Sequence, residues 1–264
     1  MSTHFQFDKR WSLQPIEGDT GQTFMGVKDS EKVFIKRNSS PFLAVLSREG
    51  IAPKLMWTKR TGDGDILIAQ EWLDGQLLTP VEVGKRLDVV ETLQHLHTSD
   101  SLKKMLYRVG GKEQQAFDFL SEYARQLPQD LKHNTYLLQV FRYLEDHIPS
   151  TNELRACHGD PVHTNWLLST EGRLYLVDWD STKLADPASD LGIVLGRYVP
   201  FSEWENWLKL YGIELTDDLL NKIYWYSGID YLLRIKKHFL YRDYQQMNRE
   251  LIMLKEIYTN FDGN

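Results

Sequence analysis

One cysteine, Cys157, stands in the 264 residues. This excludes an intrachain disulfide and any multi-cysteine metal cluster, and it fits a reducing compartment. No stretch of about 18 uninterrupted apolar residues occurs, and the opening Met1-Ser2-Thr3-His4-Phe5-Gln6-Phe7 lacks a charged start followed by an apolar core. The expectation is a cytoplasmic protein, neither exported nor inserted into a membrane. Runs of basic residues are also missing, and the formal net charge is a mild -6, so no duplex-binding surface and no nucleic-acid partner are expected. Repeats and low-complexity tracts are absent as well. What is present is 42% hydrophobic residues, enough for a sizeable core in one large domain or two lobes.

The chain changes character near residue 72. Before it, Phe24 to Val27, Val33 to Lys36 and Ile66 to Gln70 are short apolar runs bounded by Gly, Asp and Ser, which predicts a small β-rich lobe over residues 1–72. From Thr79-Pro80, a helix cap and first helical position, Leu87, Val90, Leu93 and Leu96 recur at helical spacing. A larger, mainly helical lobe over residues 76–264 is predicted, with a hinge near residues 69–75. The fold class is therefore α+β. Within the second lobe, Leu167-Leu168 and Leu174 to Val177 flank the turn-like Ser169-Thr170-Glu171-Gly172, which predicts a hairpin with polar residues at its ends.

Those polar residues carry the chemistry. Cys157-His158-Gly159-Asp160-Pro161-Val162-His163-Thr164-Asn165 precedes the hairpin, and Leu176-Val177-Asp178-Trp179-Asp180 closes it. Phosphoryl transfer needs a carboxylate beside the attacking hydroxyl and oxygen ligands that hold Mg2+ against the nucleotide phosphates. Asp160 suits the first task, as catalytic base. Asn165 and Asp178 suit the second, as metal ligands. Taken singly, a His-Gly-Asp turn or an Asp-Trp-Asp strand end is as readily structural; their order across a hairpin matches the catalytic and metal loops of kinases. His158 is expected to fix the loop by bonding to backbone, because an imidazole two residues before the base is poorly placed for proton transfer. His163 is a polar loop residue or a substrate contact.

The kinase reading extends to the N-terminal lobe. Val33-Phe34-Ile35-Lys36 is an apolar strand ending in Lys, the pattern that sets an ammonium on the nucleotide phosphates, although a solvated strand-end Lys is common. Glu49 is placed to pair with Lys36. Gly18, Gly21 and Gly26 allow a backbone loop to approach phosphates or simply turn a hairpin. Gln70, Glu71 and Trp72 are the adenine-facing hinge candidates, Trp72 also being suited to packing between the lobes.

With Gly159 where protein kinases carry Arg, and with Asp180 two residues after Asp178, the sequence resembles the aminoglycoside phosphotransferase and choline kinase-like superfamily over most of its length. Gly18-Asp19-Thr20-Gly21-Gln22-Thr23-Phe24-Met25-Gly26, Ile51-Ala52-Pro53, Ala69-Gln70-Glu71-Trp72-Leu73 and Val177-Asp178-Trp179-Asp180-Ser181 resemble the bacterial YtmP/CcrZ group. The resemblance implies a bilobal, protein-kinase-like fold, ATP as donor and a small-molecule acceptor. For this group it implies a ribose or deoxyribose hydroxyl, a link to cell-cycle and division control, and a division-protein partner at the division site. It also implies that Asp190, in Asp186-Pro187-Ala188-Ser189-Asp190, caps the next helix and supports the catalytic loop. Asp180, Tyr224, Asp230 and Arg234 are the acceptor-site candidates. Asp180 can equally sit beside the metal, and the aromatic stripe around Tyr224 can equally be a core seam. Arg234, Lys236, Lys237 and His238 dilute acidic charge, which favours a neutral or anionic acceptor over a polycation. Three rivals stand beside a ribosyl kinase: an aminoglycoside, choline or ethanolamine kinase, a kinase-fold regulatory protein acting through protein contacts, and a metal hydrolase, for which no His pair at ligand spacing is present.

Overall fold

The computed structural model describes residues 11–16, 22–151 and 153–261. Gly18 and Gly21 lie outside the described residues. The N-terminal part is an antiparallel sheet of β1 (Ser12–Pro15), β2 (Thr23–Lys28), β3 (Glu31–Arg37), β4 (Leu55–Arg60) and β5 (Ile66–Glu71), in the order β1-β2-β3-β5-β4, with helix α1 (Phe42–Arg48) between β3 and β4. Strand alternation turns Val33 and Ile35 of β3 into a small apolar cluster with Phe24, Leu67 and Ala69. The same alternation sends Lys36 to the opposite face. Gly26 sits inside β2, where a Cβ would strike the side chains of Ile35 and Val33, so it is a packing glycine and not part of a phosphate loop.

The rest is mainly helical. It begins with β6 (Gly75–Leu77), α2 (Pro80–Lys85), α3 (Leu87–Thr98) and α4 (Asp100–Arg108), followed by β7 (Lys112–Glu113), α5 (Ala116–Ala124), α6 (Gln129–Lys132) and α7 (Thr135–Asp146). The site segment carries β8 (Arg155–Cys157), β9 (Trp166–Ser169), β10 (Leu174–Leu176) and β11 (Lys183–Ala185). Helices α8 (Ala188–Tyr198), α9 (Trp204–Tyr211), α10 (Asp217–Leu240) and α11 (Tyr244–Phe261) complete the chain. Two small sheets, β10-β9-β6 and β7-β11-β8, brace the loops between them.

Thr79 opens α2 with a reciprocal capping box to Glu82 and Pro80 at its start, satisfying amides that a helix end leaves open. Arg86 then takes an extended conformation and splits what reads as one helix into α2 and α3. In consequence Leu87 is 51% exposed, while Val89, Val90, Leu93 and Leu96 face the core. Helix α10 is buried on nearly every side through its middle, as suits the central helix of a lobe. The core does not divide at the β5–β6 junction. Phe42, Leu46 and Ile68 pack in one continuous cluster with the helical residues, and only the far face of the N-terminal sheet has a cluster of its own. No helix among the described residues is long and apolar enough to cross a membrane.

Candidate active site

The catalytic loop leaves β8 at Cys157 and is held by a buried carboxylate. Asp190, at the start of α8, accepts the amides of His158 (2.7 Å) and Gly159 (2.8 Å) and is hydrogen-bonded by His97 (3.0 Å). Burial works against its charge, but the bonds from His97 and the loop amides hold Asp190 below the ordinary carboxylate range. Gly159 has φ +83°, and a Cβ there would meet the Ser181 carbonyl, so glycine is the residue this turn admits. The His158 ring, fully buried, accepts the Asp160 amide at Nδ1 (3.2 Å) and donates from Nε2 to the Val177 carbonyl (2.9 Å). Desolvation depresses its proton affinity despite the nearby Asp190, so the ring stays neutral and serves as a strut. Val177 also donates its amide to Asn165 O (2.9 Å). Catalytic loop and metal strand are thereby tied twice.

Asp160, Asn165 and Asp178 converge from these loops. The Asn165 side-chain amide donates to the Asp160 carbonyl (2.8 Å), which leaves its side-chain oxygen available to accept. Asp178 follows β10 with φ 60°, left-handed in a residue that is not glycine. Such a conformation costs on the order of 1 kcal/mol and is characteristic of positions where side-chain direction matters. The Lys36 ammonium bridges Asp178 (3.0 Å) and Asp180 (2.7 Å). Two half-exposed carboxylates holding one cation, beside an amide oxygen, form a hard-oxygen donor set that fits Mg2+, with Lys36 as the stand-in charge.

On its other side Asp160 meets Arg234 of α10. An ion-pair chain runs on from there: Arg234 to Asp230 (3.0 Å), Asp230 to Arg197 of α8 (2.7 Å), and Arg197 to Glu250 of α11 (2.7 Å). Burial opposes the charges of Arg197 and Arg234, but Asp230 offsets it and both guanidiniums hold their protons more tightly than usual. A cavity of about 390 Å³ opens here, lined among others by Phe119, Gly159, Asp160, Ser181, Tyr226 and Arg234. Lys36, Asn165 and Asp178 do not line it. Of the segment that follows Asp178, Ser181 does line it.

Several expectations are corrected. Glu49, at the end of α1, bonds His95 (2.8 Å) and Ser99 (3.1 Å) instead of Lys36, whose partners are the metal-loop acids. Glu71 cannot offer its amide to adenine, because that amide donates to the Lys54 carbonyl (2.8 Å). The Gln70 side chain donates to Pro53 O (3.0 Å), and the half-buried Trp72 indole donates to Asp74 (3.1 Å), not into an interlobe core. Tyr224 does not reach the cavity: it is 3% exposed and packs on Trp204 and Phe201. Asp180 belongs to the Lys36 side and does not line the cavity. His163 bonds Tyr198 through its amide (3.0 Å) and ring (3.2 Å). Sequence reasoning overlooked Arg197, Phe119 and Lys183, the last of which opens β11 five residues after Asp178.

His97, Cys157 and Asp190 also cluster closely enough to suggest a metal site, but their atoms are engaged. His97 bonds Tyr211 (2.7 Å) and Asp190, while the Cys157 thiol lies against the Ala185 and Asp186 carbonyls. Burial pushes that thiol far up, which works against a thiolate there.

Comparison with known proteins finds relatives of this fold. Protein LicA of Haemophilus influenzae is 31% identical over 107 residues, a match spanning 40% of this chain and 39% of that protein. The structure of choline kinase LicA from Streptococcus pneumoniae superposes with TM-score 0.65 at 19% identity, covering 93% of each chain. The GDP complex of aminoglycoside 2'-phosphotransferase-IIIa superposes with TM-score 0.64 at 16% identity, covering 94% of this chain and 93% of that one. At such identities these superpositions show a shared fold, the bilobal kinase-like α+β architecture. Residues 37–226, most of the chain, match the family described as phosphotransferase enzyme family, and the chain belongs to that family.

Proposed function

We propose that this chain is an ATP- and Mg2+-dependent kinase that moves the γ-phosphoryl group of ATP onto a small-molecule hydroxyl, at the 5-position of a ribose- or deoxyribose-containing acceptor. The carrying observation is the placement of Asp160. Its carboxylate faces the cavity, while His158 and Val177 tie its loop to the strand that presents Asp178. The acceptor hydroxyl enters from the cavity and gives its proton to Asp160 as its oxygen bonds to the γ-phosphorus and the bond to the ADP oxygen breaks. Arg234 fixes the Asp160 carboxylate by one oxygen, leaving the other for that proton. Asn165 and Asp178 would hold Mg2+, which when bound neutralises charge on the phosphates. Lys36 then exchanges the two acids for a phosphate contact. The GDP complex of the aminoglycoside enzyme supports a nucleotide donor.

The ribosyl acceptor and a link to division control through a protein partner rest on the resemblance to the YtmP/CcrZ group, and action in the cytoplasm rests on the single cysteine and the absence of a long apolar stretch. A choline- or aminoglycoside-type acceptor is less favoured, because Arg234 already engages both Asp160 and Asp230 and takes up the acidity that a cation would need. The test is ATP consumption by purified protein with Mg2+ and with ribose, deoxyribose, nucleosides, choline or kanamycin. Turnover confined to sugar acceptors supports the proposal. Turnover confined to choline or kanamycin overturns its acceptor half.

A further inference from the structure

The cavity beside Asp160 carries four basic side chains, Lys183, Arg234, Lys236 and Lys237, against three acidic ones, Glu122, Asp160 and Asp230. Most of these charges have occupations. Arg234 pairs with Asp160 and Asp230, and Arg197 holds Asp230 from behind. Lys236 donates to the Glu122 and Tyr123 carbonyls (2.8 and 2.9 Å), closing the end of α5. Glu122 accepts from the Gln114 amide (2.9 Å).

Lys183 differs. Among the described residues its ammonium has no carboxylate or hydrogen-bond acceptor within bonding distance, and its close neighbour is the Phe119 ring, 5.0 Å away at the centroid. Its stem lies where a Cβ of Gly159 would be, the Cε 2.6 Å from that position, so the charge stands beside the peptide that carries Asp160. An aromatic face offsets only part of the cost of a desolvated ammonium and leaves its three N–H donors unanswered. Burial accordingly lowers its proton affinity, although Asp190 and Glu122 counteract this at longer range. A lysine that opens a strand and turns into the cavity, against a glycine that makes room for it, is an arrangement built for an oxygen supplied from outside.

We propose that Lys183 is an acceptor-binding residue and that the acceptor carries an oxyanion, phosphate or carboxylate, which the Lys183 ammonium grips while the hydroxyl to be phosphorylated faces Asp160. This rests on the kinase reading above and narrows its substrate class. The acceptor is a ribosyl compound with an anionic group at one end and a free 5-hydroxyl at the other. A pentose 1-phosphate, a nucleoside 3'-monophosphate and a pentonate all have this form. A cationic acceptor would instead set like charges together in a site of low dielectric. The anionic group takes no part in the transfer.

The test compares ribose, ribose 1-phosphate, ribonate and choline as acceptors, with Mg2+ and ATP, in the wild-type protein and in K183M and K183R. The expected result is a KM for ribose 1-phosphate or ribonate roughly tenfold or more below that for ribose, the size of one charge-assisted hydrogen bond. Whichever of the two is favoured distinguishes a phosphate from a carboxylate. In K183M the preference over ribose collapses toward unity, and K183R restores part of it. A wild-type preference for ribose or choline, or a preference that K183M leaves intact, overturns the proposal. Calorimetric binding of ribose 1-phosphate and of ribonate, each titrated separately, separates this failure from failure of the kinase reading. Binding of either that weakens at least about tenfold in K183M sustains the site even without turnover, and equal or absent binding of both in the two proteins removes it.

Discussion

In the proposed reaction the Lys36 ammonium would serve two states of one site. With the metal-loop acids as its partners, it sits where two negative charges would otherwise repel, and a bound metal and nucleotide would release it to the phosphates. Asp178→Ala removes one of its carboxylates and the proposed metal ligand together. Nucleotide affinity in Mg2+ is expected to fall at least about tenfold, with little change in EDTA, by fluorescence titration. Glu49→Gln behaves differently, because Glu49 serves His95 and Ser99. Its KM for ATP stays within about twofold of wild type and stability falls by less than about 1 kcal/mol. A large rise in KM would restore the Glu49–Lys36 pairing that the sequence suggests. Asp160, Asn165 and Asp178 stand out in the sequence because a hairpin lies between them, and that hairpin forms where the spacing predicts it. Lys183 and Arg197 do not, because what makes them significant is a cavity assembled from α5, α8, α10 and β11, far apart in the chain.

Helices set the far wall of the site through charge. Glu250 on α11, Arg197 on α8, and Asp230 and Arg234 on α10 form one chain of ion pairs that ends on the catalytic loop. Removing the middle strands buried carboxylates, a change that costs about 3–5 kcal/mol. Arg197→Met is therefore expected to lower unfolding free energy in urea by that order, and loss of less than about 1 kcal/mol would show that the chain contributes little to holding the helices together. The Thr79 cap and the hairpin of β9 and β10 are legible because capping and turn chemistry are local. The break at Arg86 is not, since Gly84 lies inside α2 and Arg86 itself is neither glycine nor proline. Tyr224 illustrates a further limit: in a helix buried nearly all round, periodicity cannot say which aromatic faces a cavity and which a neighbouring helix. Position on α10 decides it, with Tyr226 at the cavity and Tyr224 against Trp204.

Across the whole molecule the buried charges give folding a pH dependence of definite sign. His158 and His163 are lowered chiefly by burial. Asp190 and Asp230 are lowered because their partners outweigh burial. Each binds protons less readily folded than unfolded, so each contribution is complete above the unfolded value, about 6.5 for the histidines and about 4 for the carboxylates, and is lost as pH falls through the folded value. Thermal unfolding should shift to lower temperature as pH drops from 7.5 toward 5, first through the histidines, and His158→Gln should flatten that first slope. A midpoint constant over this range would contradict the neutral His158 strut. At this scale the division into a β-rich beginning and a helical remainder is legible from the change in periodicity. The continuous core joining Phe42 and Ile68 to the helices is not, because it arises from packing between segments distant in the chain.

The central claim is that Asp160 is the base of a phosphoryl-transfer site, and the most direct measurement is Mg2+-dependent ATP turnover with a sugar acceptor by wild-type protein and Asp160→Asn. The expected result is a fall in kcat of roughly 10²–10⁴-fold with ATP affinity retained. Turnover within a few-fold of wild type in the variant would contradict the account.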